Sequence, residues 1–464
     1  MNKSIISIAV SLVTGNVLLS QTKPNVLYII TDQQSNNMMS CTGNKFLKTP
    51  NLDRLAQSGY RFDKTYCANP VSMPSRFSLM TGRQAAEVGT RDNNKFFNPQ
   101  KVTDICNESS IGNLLIRADY ETFYSGKTHL YNSKDLLLYG FTLKGQNPYD
   151  EPAEFAESFF SSRAQMKKPF LLVLSFLNPH DICYDAGFDA RYPNDLKGNG
   201  EVATKKYLDI KSRLSDAEYK KQIPPPPGNI KPLEVLNAKV TTSGTGYRDW
   251  TNDQWDLYRW MYCRLTEEVD GQIGRVLAAL DKSGLSENTI IVFTSDHGEH
   301  NQAHGLVHKT YLLEEAQRVP LIFSGKGIKK GISNDTLLVC NGLDIVPTIC
   351  DLVGIQTPQN LTGISLKSYL TSQEKHPKRD YLVTESSTGY QITDGRYKYT
   401  ILEFAGYPEM LFDIKKDKGE TNNLTNNTNY STIKEGLKKK LINNLMQRNL
   451  WPLKSAKNID YKNE

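Results

Sequence analysis

Four apolar runs in this chain close on residues that do chemistry, and no other feature constrains the fold as strongly. Asn25-Val-Leu-Tyr-Ile-Ile-Thr-Asp32-Gln33 ends on an acid and an amide. Tyr120 to Lys127 ends on Gly-Lys-Thr-His129, Phe170 to Pro179 on His180-Asp181, and Thr289 to Ser295 on Asp296-His297. Continuous apolar runs bounded by polar residues suit strands buried on both faces. Helical patterns lie between them, the clearest from Trp255 to Leu280. There Leu265, Val269, Ile273, Val276 and Leu280 share one face, and Thr251 stands at the N-cap position. Alternating strands and helices predict an α/β fold with a mostly parallel central sheet sandwiched by helices. Ligands of such sheets bind at the carboxyl ends of the strands, so the four run ends point to one site.

The two ends of the chain differ from this middle. Lys3 followed by the mostly apolar Ile5–Leu19 and the small residue Ser20 reads as a secretory signal over 1–20. That run is too short and too polar for a span, which takes about 20 apolar residues. Residues 187–246, with Pro224–Pro227 and several glycines, read as a long irregular excursion over the surface. Near the C-terminus, Asp394-Gly395 between alternating runs predicts a hairpin, and Ile433–Leu450 an amphipathic helix. The expected division is a signal over 1–20, a catalytic α/β domain over 21–364 and a smaller antiparallel-sheet subdomain over 365–464. The net charge is +6, from 56 Lys+Arg against 50 Asp+Glu. This modest surplus, with no dense basic run, suits an anionic substrate and excludes a nucleic-acid coat. The seven cysteines show no CxxC or Cys/His zinc spacing and read as small buried hydrophobes with at most one bridge.

Ser72-Met-Pro-Ser-Arg76 alone reads as a proline turn opening a helix. Together with Gly126-Lys127-Thr-His129, Asn178-Pro-His180-Asp181, Thr294-Ser-Asp296-His297-Gly298-Glu and His308-Lys309-Thr310, it resembles the formylglycine-dependent sulfatases of the alkaline-phosphatase-like superfamily, in their Ser-type bacterial branch. The similarity runs from about residue 24 to 420. It implies that Ser72 is oxidised to formylglycine, whose hydrate is the nucleophile. It implies that Asp32, Gln33, Asp296 and His297 hold a divalent metal. Many relatives have Asp-Asp where this chain has Asp32-Gln33, and Asn where it has His297. Calcium is the expected ion; a His ligand leaves room for manganese, and magnesium also suits an oxygen-rich site.

By the same resemblance Arg76 orients the hydrated aldehyde, and Lys127 and Lys309 contact the sulfate. His180 contacts sulfate and protonates the leaving oxygen, while His129 takes the proton that lets sulfate leave. Histidine suits both tasks near neutral pH. His300, His304 and His308 crowd the segment after the metal motif, either lining the pocket or packing the loop. The expected activity is hydrolysis of a sulfated carbohydrate by a periplasmic or secreted bacterial protein, matured by an anaerobic-type sulfatase-maturating enzyme. Two alternatives stand beside it: a phosphonate or phosphate monoester hydrolase of the same superfamily, and a non-catalytic glycan-binding relative with an unmodified Ser72.

Overall fold

The computed structural model describes residues 23–93, 96–131, 136–145, 147–163, 168–187, 201–236, 246–371, 377–404 and 406–453. The expected signal over 1–20 lies outside these residues. The main sheet has eight strands: β1 (Asn25–Asp32), β2 (Gly59–Phe62), β3 (Glu121–Gly126), β4 (Thr142–Leu143), β5 (Phe170–Pro179), β6 (Thr289–Ser295), β7 (Leu321–Gly325) and β8 (Ile332–Asn334). Their order across the sheet is β8-β2-β7-β6-β1-β5-β3-β4. Only β7 runs against the others, so the sheet is mostly parallel, as the run pattern predicts. All residues of β1, β5 and β6 are buried. These three strands are adjacent and central, and continuous apolar runs belong there because helices cover both faces. Each fully buried Leu, Ile or Val contributes roughly 1.5–3 kcal/mol relative to exposure.

The first helix that matters to the site, α1 (Ser72–Thr81), starts after Val71 in extended conformation and stops at Gly82 in the left-handed region, φ 69°. Pro74 is tolerated in its first turn, where backbone N–H groups have no helical partner. The long helix α2 (Asn252–Lys282) is capped by Thr251 and Gln254, each side chain serving the other's backbone N–H. Leu265, Val269, Ile273, Val276 and Leu280 are buried along it, as their spacing predicts.

The C-terminal part holds a four-stranded antiparallel sheet: β9 (Leu382–Ser386), β10 (Gly389–Thr393), β11 (Tyr397–Leu402) and β12 (Glu409–Asp413). Asp394 Oδ1 accepts from the N–H groups of Arg396 (2.9 Å) and Tyr397 (2.7 Å), closing the expected hairpin. A helix over Ser431–Gln447 packs on this sheet and buries Leu437, Leu441 and Leu445.

One sequence expectation changes. The excursion over 187–246 is not irregular throughout, since Glu201–Ser212 and Asp216–Gln222 are helices. Ser215 and Glu218 form a capping box at the second, a signature the sequence carries. The seven cysteines are all free thiols, five buried and two partly exposed, so there is no bridge.

Candidate active site

The carboxyl ends of β1, β3, β5 and β6 meet at one place, and α1 brings Ser72 and Arg76 to it. These two residues are one helical turn apart and share a face. Arg76 is 1% exposed, and its guanidinium is spent on four bonds. Nε donates to Asp296 Oδ2 (2.9 Å) and Nη2 to Asp32 Oδ2 (2.8 Å). Nη1 donates to Ser175 Oγ (2.6 Å) and to the Lys127 carbonyl (3.1 Å). Lys127 Nζ lies 2.6 Å from Asp32 Oδ2. Gly126, just before it, has φ 94°, and a Cβ there would sit 2.1 Å from the Ser175 carbonyl oxygen, so only glycine fits.

His297 is fully buried and holds its ring by Nδ1, 2.9 Å from the Gly298 carbonyl. A carbonyl accepts only, so Nδ1 carries the proton and Nε2 presents its lone pair. That lone pair faces Ser72 Oγ at 2.9 Å, Asp296 Oδ1 at 3.7 Å and Asp32 Oδ1 at 3.9 Å. One ligand atom each from Asp32, Asp296 and His297 lies within 4.8 Å of the other two.

The electrostatics fit a cation there. Asp32 Oδ1 is buried without a hydrogen-bond partner, which costs several kcal/mol for an ionised group and leaves that oxygen able to ligate a cation. Burial opposes ionisation of Asp32, but the Lys127 ammonium and the Arg76 guanidinium hold it well below its usual range. Burial and the neighbouring Asp32 push Asp296 up to about 7. Two carboxylates and a neutral imidazole with its lone pair inward suit a divalent ion, and the His297 tautomer is fixed by the bond on its far side.

The other expected site residues sit around this centre. The backbone N–H of Gln33 donates to Asp296 Oδ1 (3.0 Å). Its side-chain Oε1 accepts from Lys309 Nζ (2.6 Å), so the sequence's fourth metal ligand is engaged with a lysine. Lys309 is 3% exposed; burial works against its charge, but Cys183, Asp32 and Asp296 outweigh it and raise its pKa. Lys127 is lowered by burial. His129 is partly buried at φ 39°, and burial, Lys127 and Arg76 push it down to about 3. His180 is held well below its ordinary value by burial and by Lys127 and Lys309. Both imidazoles are therefore neutral at pH 7. Thr310 has φ 92° and His308 φ 64°, so the residues flanking Lys309 are in conformations that non-glycine residues avoid. Such outliers cluster at functional sites.

Two participants carried no warning in the sequence, and a third, Glu299, entered only as the last residue of the Thr294–Glu299 motif. Ser175 sits mid-run in β5 yet binds Arg76. Cys183 Sγ is 3.1 Å from Gln33 Oε1. Glu299 is buried and takes hydrogen bonds from Gln33, Tyr258, Asn301 and His308. Of the extra histidines, His300 packs its ring against Tyr311 and His304 Nε2 lies 3.2 Å from Asn229 Nδ2.

The sulfatase family model matches residues 24–355, and a model of the C-terminal part of N-sulphoglucosamine sulphohydrolase matches 302–447. This chain belongs to the sulfatase family. A Δ4,5-hexuronate-2-O-sulfatase of Bacteroides thetaiotaomicron is 30% identical to it, covering 90% of this chain and 88% of its own length. An N-acetylglucosamine-6-O-sulfatase of the same organism is 27% identical, covering 88% and 84%. The solved structure of a 2-O GAG sulfatase superposes with a TM-score of 0.76 at 27% identity, covering 92% of this chain and 93% of that one. The chemistry of this sulfatase is hydrolysis of sulfate esters. No helix among the described residues is long and apolar enough to cross a membrane.

Proposed function

We propose that this sulfatase removes sulfate from a saccharide through a formylglycine formed at Ser72. One observation carries the reading. Ser72 Oγ lies 2.9 Å from His297 Nε2, at the head of a centre that also gathers Asp32, Asp296, Arg76, Lys127 and Lys309.

Ser72 has His297 Nε2 beside it, but that lone pair also faces the metal centre and the ring's far nitrogen is held by the Gly298 carbonyl rather than a carboxylate, so the pair is not a Ser-His-Asp relay. In the reading, an anaerobic-type maturating enzyme removes two electrons and two protons from Ser72, and water adds to the aldehyde. One hydroxyl of the hydrate attacks sulfur as its proton passes to the Asp296 carboxylate, whose pKa is pushed up to about 7. The ester S–O bond breaks with its electron pair going to the alcohol oxygen, which takes a proton from His180. The second hydroxyl gives its proton to His129, the aldehyde re-forms, and sulfate leaves. A plain serine would stop as its own sulfate ester. His129, held neutral, is in the right state to accept a proton. His180 is depressed by Lys127 and Lys309, and a bound sulfate offsets those charges and raises its proton affinity.

Arg76 fixes the two carboxylates and the start of α1, while Lys127 and Lys309 face the sulfate oxygens as charge builds on them. Asp32, Asp296 and His297, with Gln33 beside them, would hold a divalent ion, calcium by preference, which when bound would supply further positive charge to those oxygens. The relatives' activities make a uronate 2-O-sulfate the first saccharide to try. Export to the periplasm or beyond accords with the apolar leader-like run over 5–19.

The test is turnover of matched sulfate and phosphate esters of one alcohol, followed by defined sulfated saccharides. Faster sulfate turnover and activity on at least one saccharide are expected. Faster phosphate turnover would favour the phosphoester alternative, and no turnover by matured protein the binding alternative.

A further inference from the structure

Glu299 takes no part in the chemistry above, yet its two oxygens are divided in an instructive way. Oε1 accepts from three donors: Tyr258 Oη (2.8 Å), the Asn301 N–H (3.1 Å) and the His308 N–H (2.6 Å). Oε2 accepts from the Gln33 side-chain amide, Nε2, at 2.5 Å. The far end of that amide, Oε1, then accepts from Lys309 Nζ at 2.6 Å. Glu299 is 1% exposed, so no bulk water substitutes for these partners.

The amide can sit only one way round. Turned over, its NH2 would face the Lys309 ammonium and its oxygen would face a carboxylate, two repulsive contacts in place of two attractive ones. Glu299 also holds the His308 N–H, one residue before Lys309, in a segment whose backbone is at positive φ on either side of the lysine. The carboxylate therefore grips Lys309 from two directions, through its backbone neighbour and through Gln33.

We infer that Glu299 is a positioning residue, whose Oε2 orients the Gln33 amide so that its oxygen holds Lys309 Nζ at the sulfate-binding position. This rests on the assignment of Lys309 to sulfate binding made above. Glu299→Gln isolates the effect. The variant's Oε1 keeps its three donors, while an NH2 replaces Oε2 and meets the Gln33 NH2. Relief of that clash turns Gln33 over and aims a donor at Lys309 Nζ. The paired swap Gln33→Glu with Glu299→Gln restores both contacts. The amide introduced by Glu299→Gln then donates to the carboxylate introduced by Gln33→Glu, whose other oxygen accepts from Lys309.

The experiment uses inorganic sulfate as probe, titrated calorimetrically into metal-loaded wild type, Glu299→Gln and the swap, with melting temperatures recorded for each. Sulfate binding needs no turnover and no conversion of Ser72. It therefore separates failure of this inference from failure of the catalytic reading. Glu299→Gln is expected to melt close to wild type and to bind sulfate about tenfold more weakly, equivalent to about 1.4 kcal/mol. The swap is expected to return to within about threefold of wild type. With a sulfate ester the single variant should raise KM more than it lowers kcat. Wild-type sulfate affinity in Glu299→Gln, a swap no better than the single variant, or an unfolded Glu299→Gln would each overturn the inference. If wild type itself binds no sulfate, the assignment of Lys309 falls, and the positioning role falls with it.

Discussion

Replacing Arg76 with methionine isolates the contribution of the ion cluster under Ser72. Methionine keeps much of the side-chain volume and removes the charge and the four hydrogen bonds to Asp296, Asp32, Ser175 and the Lys127 carbonyl. Asp32 Oδ2 retains Lys127 Nζ at 2.6 Å, so the larger loss falls on Asp296. Removing one partner of a buried ion pair costs about 3–5 kcal/mol, because the remaining charge stays desolvated. In a domain of this size that is a fall in Tm on the order of 10 °C. The assay is thermal unfolding of chelator-treated protein, so that bound metal does not stand in for the guanidinium. Calcium added back should recover part of the difference in the variant. Arg76→Lys should fall between the two, since one ammonium cannot reproduce the fork. The deficit should also depend on pH. An unpaired buried carboxylate has a raised folded-state pKa, so its protonation stabilises the variant below the ordinary carboxylate range and that help is lost as pH rises. The gap to wild type should therefore be wider at pH 8 than at pH 5. A Tm within about 2 °C of wild type at pH 8, without metal, would refute the reasoning.

Asp296→Ala removes the acceptor of the Gln33 and His297 N–H groups as well as a metal ligand, and should abolish stoichiometric calcium binding by calorimetry and lower turnover at least about 10²-fold. His180→Ala should slow a sugar sulfate far more than a nitrophenyl sulfate, because only the poor leaving group needs its proton in the transition state. Equal losses on both would remove His180 from the acid role. His304 is buried and pushed down to about 4 by burial, so it stabilises the fold above about pH 6.5, and that contribution is lost as pH falls towards 4. His304→Asn, which tolerates the φ of 54° there, should gain about 2 kcal/mol on wild type between pH 7 and pH 5 in denaturant titrations, and parallel pH profiles would contradict this.

The fold and the centre of the site were legible for one physical reason. Buried parallel strands must be continuously apolar, so Asp32, Lys127, His180 and Asp296 stand out where each run stops. Ser72 and Arg76 lie on no such run, and only their motif linked them to it; the structure supplies the reason, a helix whose first turn faces the strand ends. Lys309 reads as an ordinary surface lysine until the segment around it is folded inward. Glu299 was invisible as a positioning group because its partners are dispersed: Gln33 lies 266 residues away and Tyr258 on a separate helix. Cys183 and Ser175 have no periodicity to betray them. The helices over 201–222 were hidden by the surrounding glycines and prolines, although the Ser215–Glu218 spacing marks the start of one.

The formylglycine assignment is tested most directly by mass spectrometry of the peptide spanning Ser72, in protein made with and without an anaerobic-type maturating enzyme. Active protein should carry a peptide lighter by two hydrogens at Ser72, and specific activity should rise in proportion to the modified fraction. Protein made without the maturase, or as Ser72→Ala, should bind the substrate and not turn it over. Full activity with an unmodified Ser72 would contradict the account at its centre.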